Sequence, residues 1–108
     1  MGKITMKNLH EFGDITLSLA YFRNLSLPPT SSVLDIGTRF GSFVKSLYEI
    51  GYSQVMGIDT DESAIIKGRE SYSDIKNCLI PYRGISIPFN DNSFDIITMF
   101  DVIEHIPN

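Results

Sequence analysis

The sequence predicts an α/β fold, a parallel sheet with helices on both faces. Three observations carry that reading. Short apolar runs rich in β-branched residues, at Val33–Ile36, Gln54–Asp59 and Phe94–Phe100, alternate with segments of helical spacing. Strands that alternate with helices imply right-handed crossovers, each returning the chain parallel to the previous strand. The turn Gly37-Thr38-Arg39-Phe40-Gly41 then leads from the first strand directly into a helix start. In open α/β sheets that crevice, at the carboxyl ends of the strands, is where ligands bind.

The elements follow in order. From about Asn8 to Leu27, Phe12, Ile15, Leu19 and Phe22 recur at three and four and share a helix face, although Gly13 weakens the pattern. Pro28-Pro29 stops that helix, and Thr30-Ser31-Ser32 links it to the first strand. The helix from about Gly41 to Ile50 buries Phe43, Val44 and Leu47, with Gly51 placed for a left-handed C-terminal cap. Thr60 or Asp61 caps the next helix, which runs to about Ser73 with Ile65, Ile66 and Tyr72 facing the core and Gly68 costing it stability. Cys78–Arg83 is a short strand that Pro81 demotes to an edge. Asn90–Ser93 is a turn, Phe94–Phe100 is the strongest strand, and Asp101–Ile106 begins a loop or helix. The first strand is expected at the centre of the sheet with the Phe94 strand beside it.

Composition bounds what such a domain does. The 108 residues suit one domain, and 43% hydrophobic with 20% charged residues is the composition of a chain with a core. The net charge of -4, from 13 acidic and 9 basic residues without basic runs, argues against nucleic-acid binding. A lone Cys78 cannot form an internal disulfide and fits a reducing cytoplasm. No signal peptide or membrane-spanning apolar run stands out, and two histidines with one cysteine offer no metal-ligand spacing.

Spacing then points to a ligand class. Asp59 ends the second strand about twenty positions after Gly37, where a βαβ nucleotide fold places a carboxylate on the ribose hydroxyls. The turn lacks the Gly-x-Gly-x-x-Gly that seats a pyrophosphate. Asp35, a carboxylate inside an apolar strand, needs a partner such as a loop amide or a cationic ligand group, and it would repel phosphates. An adenosine ligand carrying an ammonium and no phosphate meets all three conditions, and S-adenosylmethionine is such a ligand.

The segment VLDIGTRFGSF, residues 33–43, resembles motif I of class I S-adenosylmethionine-dependent methyltransferases. VMGIDTDESAI resembles the segment that follows it, and IPFNDNSFDIITMFDVIEHIPN is similar to the motif IV region of the small-molecule group that includes quinone-biosynthesis enzymes. The resemblance implies a Rossmann-like sheet in which Gly37 and Gly41 approach the methionine part of the cofactor and Asp35 lies near its amino group. It also implies that Asp59, with Thr60 beside it, binds the ribose, while Phe100 and Asp101 border the sulfonium and the substrate. The implied reaction is methyl transfer to a small-molecule acceptor. His105, beside Glu104, is the candidate general base, against an ordinary surface or capping histidine.

Three departures accompany the resemblance. Arg39 replaces the middle glycine of motif I, where its cation opposes a sulfonium but can pair with the ligand's carboxylate. Arg83-Gly84-Ile85-Ser86 stands where the family carries an acid for the adenine amino group, leaving Ser86 as the hydrogen-bonding side chain other than the cation. Third, a family domain is roughly twice as long. Residues 1–108 therefore read as one partial cofactor-binding domain, truncated after the fourth strand, with 1–30 an N-terminal helix and linker. A bare fourth-strand edge invites self-association or a completing chain. The alternative function is a non-catalytic domain of the same fold, binding a nucleoside or serving as a partner subunit.

Overall fold

The computed structural model describes residues 16–84 and 93–99. Its organising strand is β1 (Val33–Ile36), all four residues of which are buried, as a central parallel strand covered on both faces requires. On one side β2 (Val55–Asp59) pairs with it, Val33 opposite Val55 and Asp35 opposite Gly57. On the other lies β4 (Ile96–Thr98), with Asp35 opposite Thr98. β3 (Leu79–Pro81) adds outside β2, so the order is β3-β2-β1-β4 with every pairing parallel. The first strand is thus central with the fourth beside it, and the strand containing Pro81 is an edge, as its missing N–H demands.

Three helices pack on one face. These are α1 (Thr16–Asn24), α2 (Ser42–Glu49) and α3 (Glu62–Ser71). Phe22 of α1, Phe43, Val44 and Leu47 of α2 and Ile65 of α3 form one buried cluster with Val33, Val55 and Leu79 of the sheet. Phe22 is its hinge pin, meeting Phe43 and Tyr52 edge-on at centroid separations of 5.8 and 5.4 Å. On the opposite face Leu34, Ile36 and Ile58 are buried, with Met56, Ile80, Tyr82 and Phe94 against them. Between β3 and β4, residues 85–92 lie outside the described residues.

Several element ends differ from the sequence expectation. α1 ends at Asn24 rather than Leu27 because Ser26 turns left-handed, with φ 55°. α2 closes as expected, Gly51 at φ 115° and the Tyr52 amide reaching back to the Leu47 carbonyl at 3.0 Å. Ile66 was expected in the core but is 47% exposed. Ile65 and Gly68 point inward on α3, and the helical turn of about 100° per residue carries Ile66 outward. A 3₁₀ segment, Ser73–Cys78, brings Ile75 into the core ahead of β3. β4 is shorter than Phe94–Phe100 because Asp95 is spent on a cap: its amide reaches the Ser32 hydroxyl at 2.8 Å, while its carboxylate accepts the Ser32 amide at 2.9 Å.

Candidate functional site

The site sits where the strands end. The turn after β1 is pinned to β2, the amides of Gly37 and Thr38 both donating to the Ile58 carbonyl at 2.8 and 3.0 Å. Gly37, Arg39 and Gly41 take positive φ values of 78°, 56° and 84°. At Gly41 two demands coincide. A Cβ there would meet the Leu79 side chain at 2.6 Å as well as being strained, so only glycine lets α2 start this close to β3. Arg39 bears the same left-handed geometry with a full side chain, an uncommon state for an L-residue.

Arg39 points outward. It is exposed, and its guanidinium lies 5.5 Å from the centroid of the Phe40 ring. Its backbone amide does the structural work, donating to Asp59 Oδ2 at 2.7 Å. Asp59 Oδ1 accepts the Asp61 amide at 2.8 Å. The Asp59 carboxylate therefore clamps the glycine turn to the loop after β2, and each of its oxygens keeps a further lone pair for a ligand hydroxyl. Helix capping falls to Asp61, which accepts the Ala64 amide at 3.1 Å and the Ser63 hydroxyl at 2.8 Å. The Ser63 hydroxyl first, then the Ala64 amide, hold the Asp61 carboxyl below its ordinary range.

Asp35 is 5% exposed. One partner is a residue that sequence reasoning missed: Thr98, opposite it in β4, donates its hydroxyl to Asp35 Oδ1 at 2.6 Å. The Leu34 carbonyl is 3.5 Å from the same hydroxyl, too far to compete for its single proton. No local motif marks this pair, because it depends on the register between strands 63 positions apart. Thr38, also buried, lies over Gly57, and its hydroxyl finds no partner among the described residues.

An open cleft of about 590 Å³ lies beside the ends of β2 and β3, bordered by Thr60 and Glu62 on one lip and Pro81, Tyr82 and Arg83 on the other. The Tyr82 amide donates to the Asp59 carbonyl at 3.1 Å and so ties the two lips together at their base. Sequence reasoning had singled out Thr60 but not Glu62 or Tyr82; the signal was their nearness to the ends of β2 and β3. Asp35, Gly37, Arg39, Gly41, Asp59 and Thr60 are thus brought to one edge of the sheet. Ser86, Phe100, Asp101 and His105 lie outside the described residues.

Other chemistry is sparse. Burial pushes the half-buried Cys78 thiol up, which suits a packing residue and not a nucleophile. Among the described residues there is no group of acids, histidines and cysteines that could hold a metal ion. None of the described helices is long and apolar enough to cross a membrane.

Comparison with known proteins agrees with this geometry. The family profile described as "Methyltransferase domain" matches residues 34–108. Human "EEF1A lysine methyltransferase 2" is 31% identical over 102 residues, which is 82% of this chain and 43% of that protein. "Ubiquinone biosynthesis O-methyltransferase" of Nitrosococcus oceani is 30% identical over 105 residues, 94% of this chain and 43% of the relative. The chain thus spans less than half the length of either curated relative. Among solved structures, "PKMT2 from Rickettsia typhi in complex with AdoHcy" superposes with a TM-score of 0.56 at 28% identity, covering 68% of this chain and 15% of that one.

Proposed function

We propose, from the premise that this chain belongs to the methyltransferase domain family, that its crevice binds S-adenosylmethionine and that the protein transfers the methyl group to a small molecule. The observation that carries this reading is the Asp59 clamp. A buried carboxylate, fixed by two backbone amides and open to two more hydrogen bonds, ends β2 immediately before Thr60, which lines the cleft. That cleft is of a volume typical of small-ligand sites, about 300–1,000 Å³. The AdoHcy in the Rickettsia structure and the O-methyltransferase among the relatives support the cofactor and the acceptor class respectively.

In this reading Asp59 accepts the ribose hydroxyls and Thr60 flanks them. Gly37 and Gly41 keep the turn low enough for the methionine part to pass, and the Asp35–Thr98 pair sets negative charge below the ammonium. The bound cofactor supplies a methyl group activated on a sulfonium. What the chain supplies is position: an in-line displacement needs an aligned acceptor and little water more than it needs catalytic side chains. Phe100 and Asp101 follow β4 in sequence and border the reacting centre in this proposal, Ser86 contributes on the base side, and His105 is the candidate base. Arg39 is turned outward, so its cation lies away from the sulfonium.

The proposal extends to assembly. The β3 edge is closed, because Arg69 donates through Nε and Nη2 to the Leu79 carbonyl at 2.9 and 2.6 Å and Pro81 has no N–H to offer. At β4, Ile97 and Met99 are exposed. That edge takes a further strand, from a second copy or a completing chain, and light scattering that finds a monomer at high concentration would count against it. The functional reading itself is tested by thermal unfolding with ligands. S-adenosylhomocysteine raises the midpoint whereas NAD and ATP do not; equal shifts for all three would point to a generic nucleotide site. Transfer of labelled methyl into the small-molecule fraction of an extract, and not into protein, identifies the acceptor class.

A further inference from the structure

Asp35 and Thr98 are out of keeping with their surroundings. Both are buried, 5% and 6% exposed, at paired positions of β1 and β4. Alternation along the strands sets them on the side of the sheet from which Val33 and Ile96 reach the main core cluster. Stability does not explain a carboxylate there, because apolar groups of like volume often serve a buried position as well or better. The Thr98 hydroxyl has a single proton, and it goes to Asp35 Oδ1 at 2.6 Å. That bond does more than satisfy a buried acceptor. A donor to a carboxylate favours its charged form, and within a packed strand it also fixes the rotation of the group.

Asp35 also stands two residues before Gly37, where the chain leaves β1 for the turn. In the cofactor reading the ammonium meets it there. We infer that Thr98 is a positioning residue for that ammonium: by donating to Oδ1 it holds the Asp35 carboxylate charged and in one orientation before the cofactor arrives. Without the hydroxyl, the buried acid recovers stability by taking up a proton or by turning away, and binding must reverse either change. The inference rests on the cofactor reading above and adds to it a residue that acts only through Asp35. Because donor and acceptor lie 63 positions apart, the ammonium site is built jointly by β1 and β4. The strand that leads in sequence toward Phe100 and Asp101 therefore helps to hold the amino-acid end of the cofactor.

Calorimetric titration with S-adenosylhomocysteine and with its desamino analogue, in which hydrogen replaces the ammonium, tests the assignment. The ratio of the two affinities isolates what the ammonium contributes. Wild-type protein favours S-adenosylhomocysteine by at least about tenfold, the scale of a hydrogen bond to a charged group. Thr98→Val keeps the β-branched shape, removes the donor and lowers the ratio by at least about fivefold, whereas Thr98→Ser retains it. A purely structural role for Thr98 would weaken both ligands together and leave the ratio as it was. Thr98→Cys, whose thiol donates weakly, falls between the two and supplies the reading if the valine variant does not fold. Asp35→Asn removes most of the preference, and adding Thr98→Val to it changes the ratio no further, as expected of a residue that acts through Asp35. A ratio unchanged in Thr98→Val or Thr98→Cys, or a further fall in the double variant, overturns the inference. So does a wild type that binds both ligands equally, while a folded wild type that binds neither removes the cofactor reading and this inference with it.

Discussion

Thr38 shows how much a single atom costs at this site. Its hydroxyl is buried over Gly57 without a partner among the described residues, so its hydration is lost with nothing in return. Thr38→Val keeps the shape and removes the orphan, and urea unfolding is expected to show a gain of about 1 kcal/mol. A loss of that size would mean that the hydroxyl holds a buried water. Asp61 gives a pH prediction. Its folded carboxyl titrates below the 3.8 of an unfolded aspartate, held there first by the Ser63 hydroxyl and then by the Ala64 amide. Asp74, held by Lys45, behaves in the same way. A depressed folded value stabilises the protein above the unfolded value, and that stabilisation is lost as pH falls through the folded one. Stability should therefore decline with acid from just above pH 3.8 downward, and Asp61→Asn should flatten that decline. An unchanged acid profile in the variant would contradict the assignment.

At the scale of elements, α3 sets two principles against each other. Helix propensity says that Gly68→Ala stabilises by about 1 kcal/mol. Contact geometry says the opposite, since the new methyl would lie 2.1 Å from the Phe40 carbonyl oxygen, which belongs to the backbone of the glycine turn. Overpacking against backbone wins, and a net loss of about 2 kcal/mol is expected by chemical denaturation, together with weaker ligand binding as the turn is displaced. A stabilised variant would show that α3 and the turn can separate freely. Gly68 was legible in the sequence only as a weak point in a helix. Its reason lies in the approach of another segment, which no local pattern records. Strand identities were legible because β-branched runs and Pro81 carry their own signal. The outward turn of Ile66 and the start of β4 at Ile96 were not, because the first depends on which side of α3 meets the sheet and the second on the Ser32–Asp95 cap.

For the whole molecule, the sequence contained the order of events along the crevice: a glycine turn, then an acid at the next strand end. Parallel topology turns that order into proximity, since every strand ends at the same edge. It could not reveal the Thr98 partner of Asp35, which register supplies, or the direction of Arg39, whose amide binds Asp59 while its exposed guanidinium lies by the Phe40 ring. Both depend on contacts across the sheet edge that no local pattern records. Ligand binding therefore turns on Asp59, the residue that joins both loops. Calorimetric titration of S-adenosylhomocysteine into the wild type and into Asp59→Asn is its most direct test. The wild type is expected to bind at one site per chain, and the variant with affinity at least about tenfold lower, because a neutral amide replaces a charged acceptor. Equal affinity in the two proteins, or no binding to a folded wild type, would contradict it.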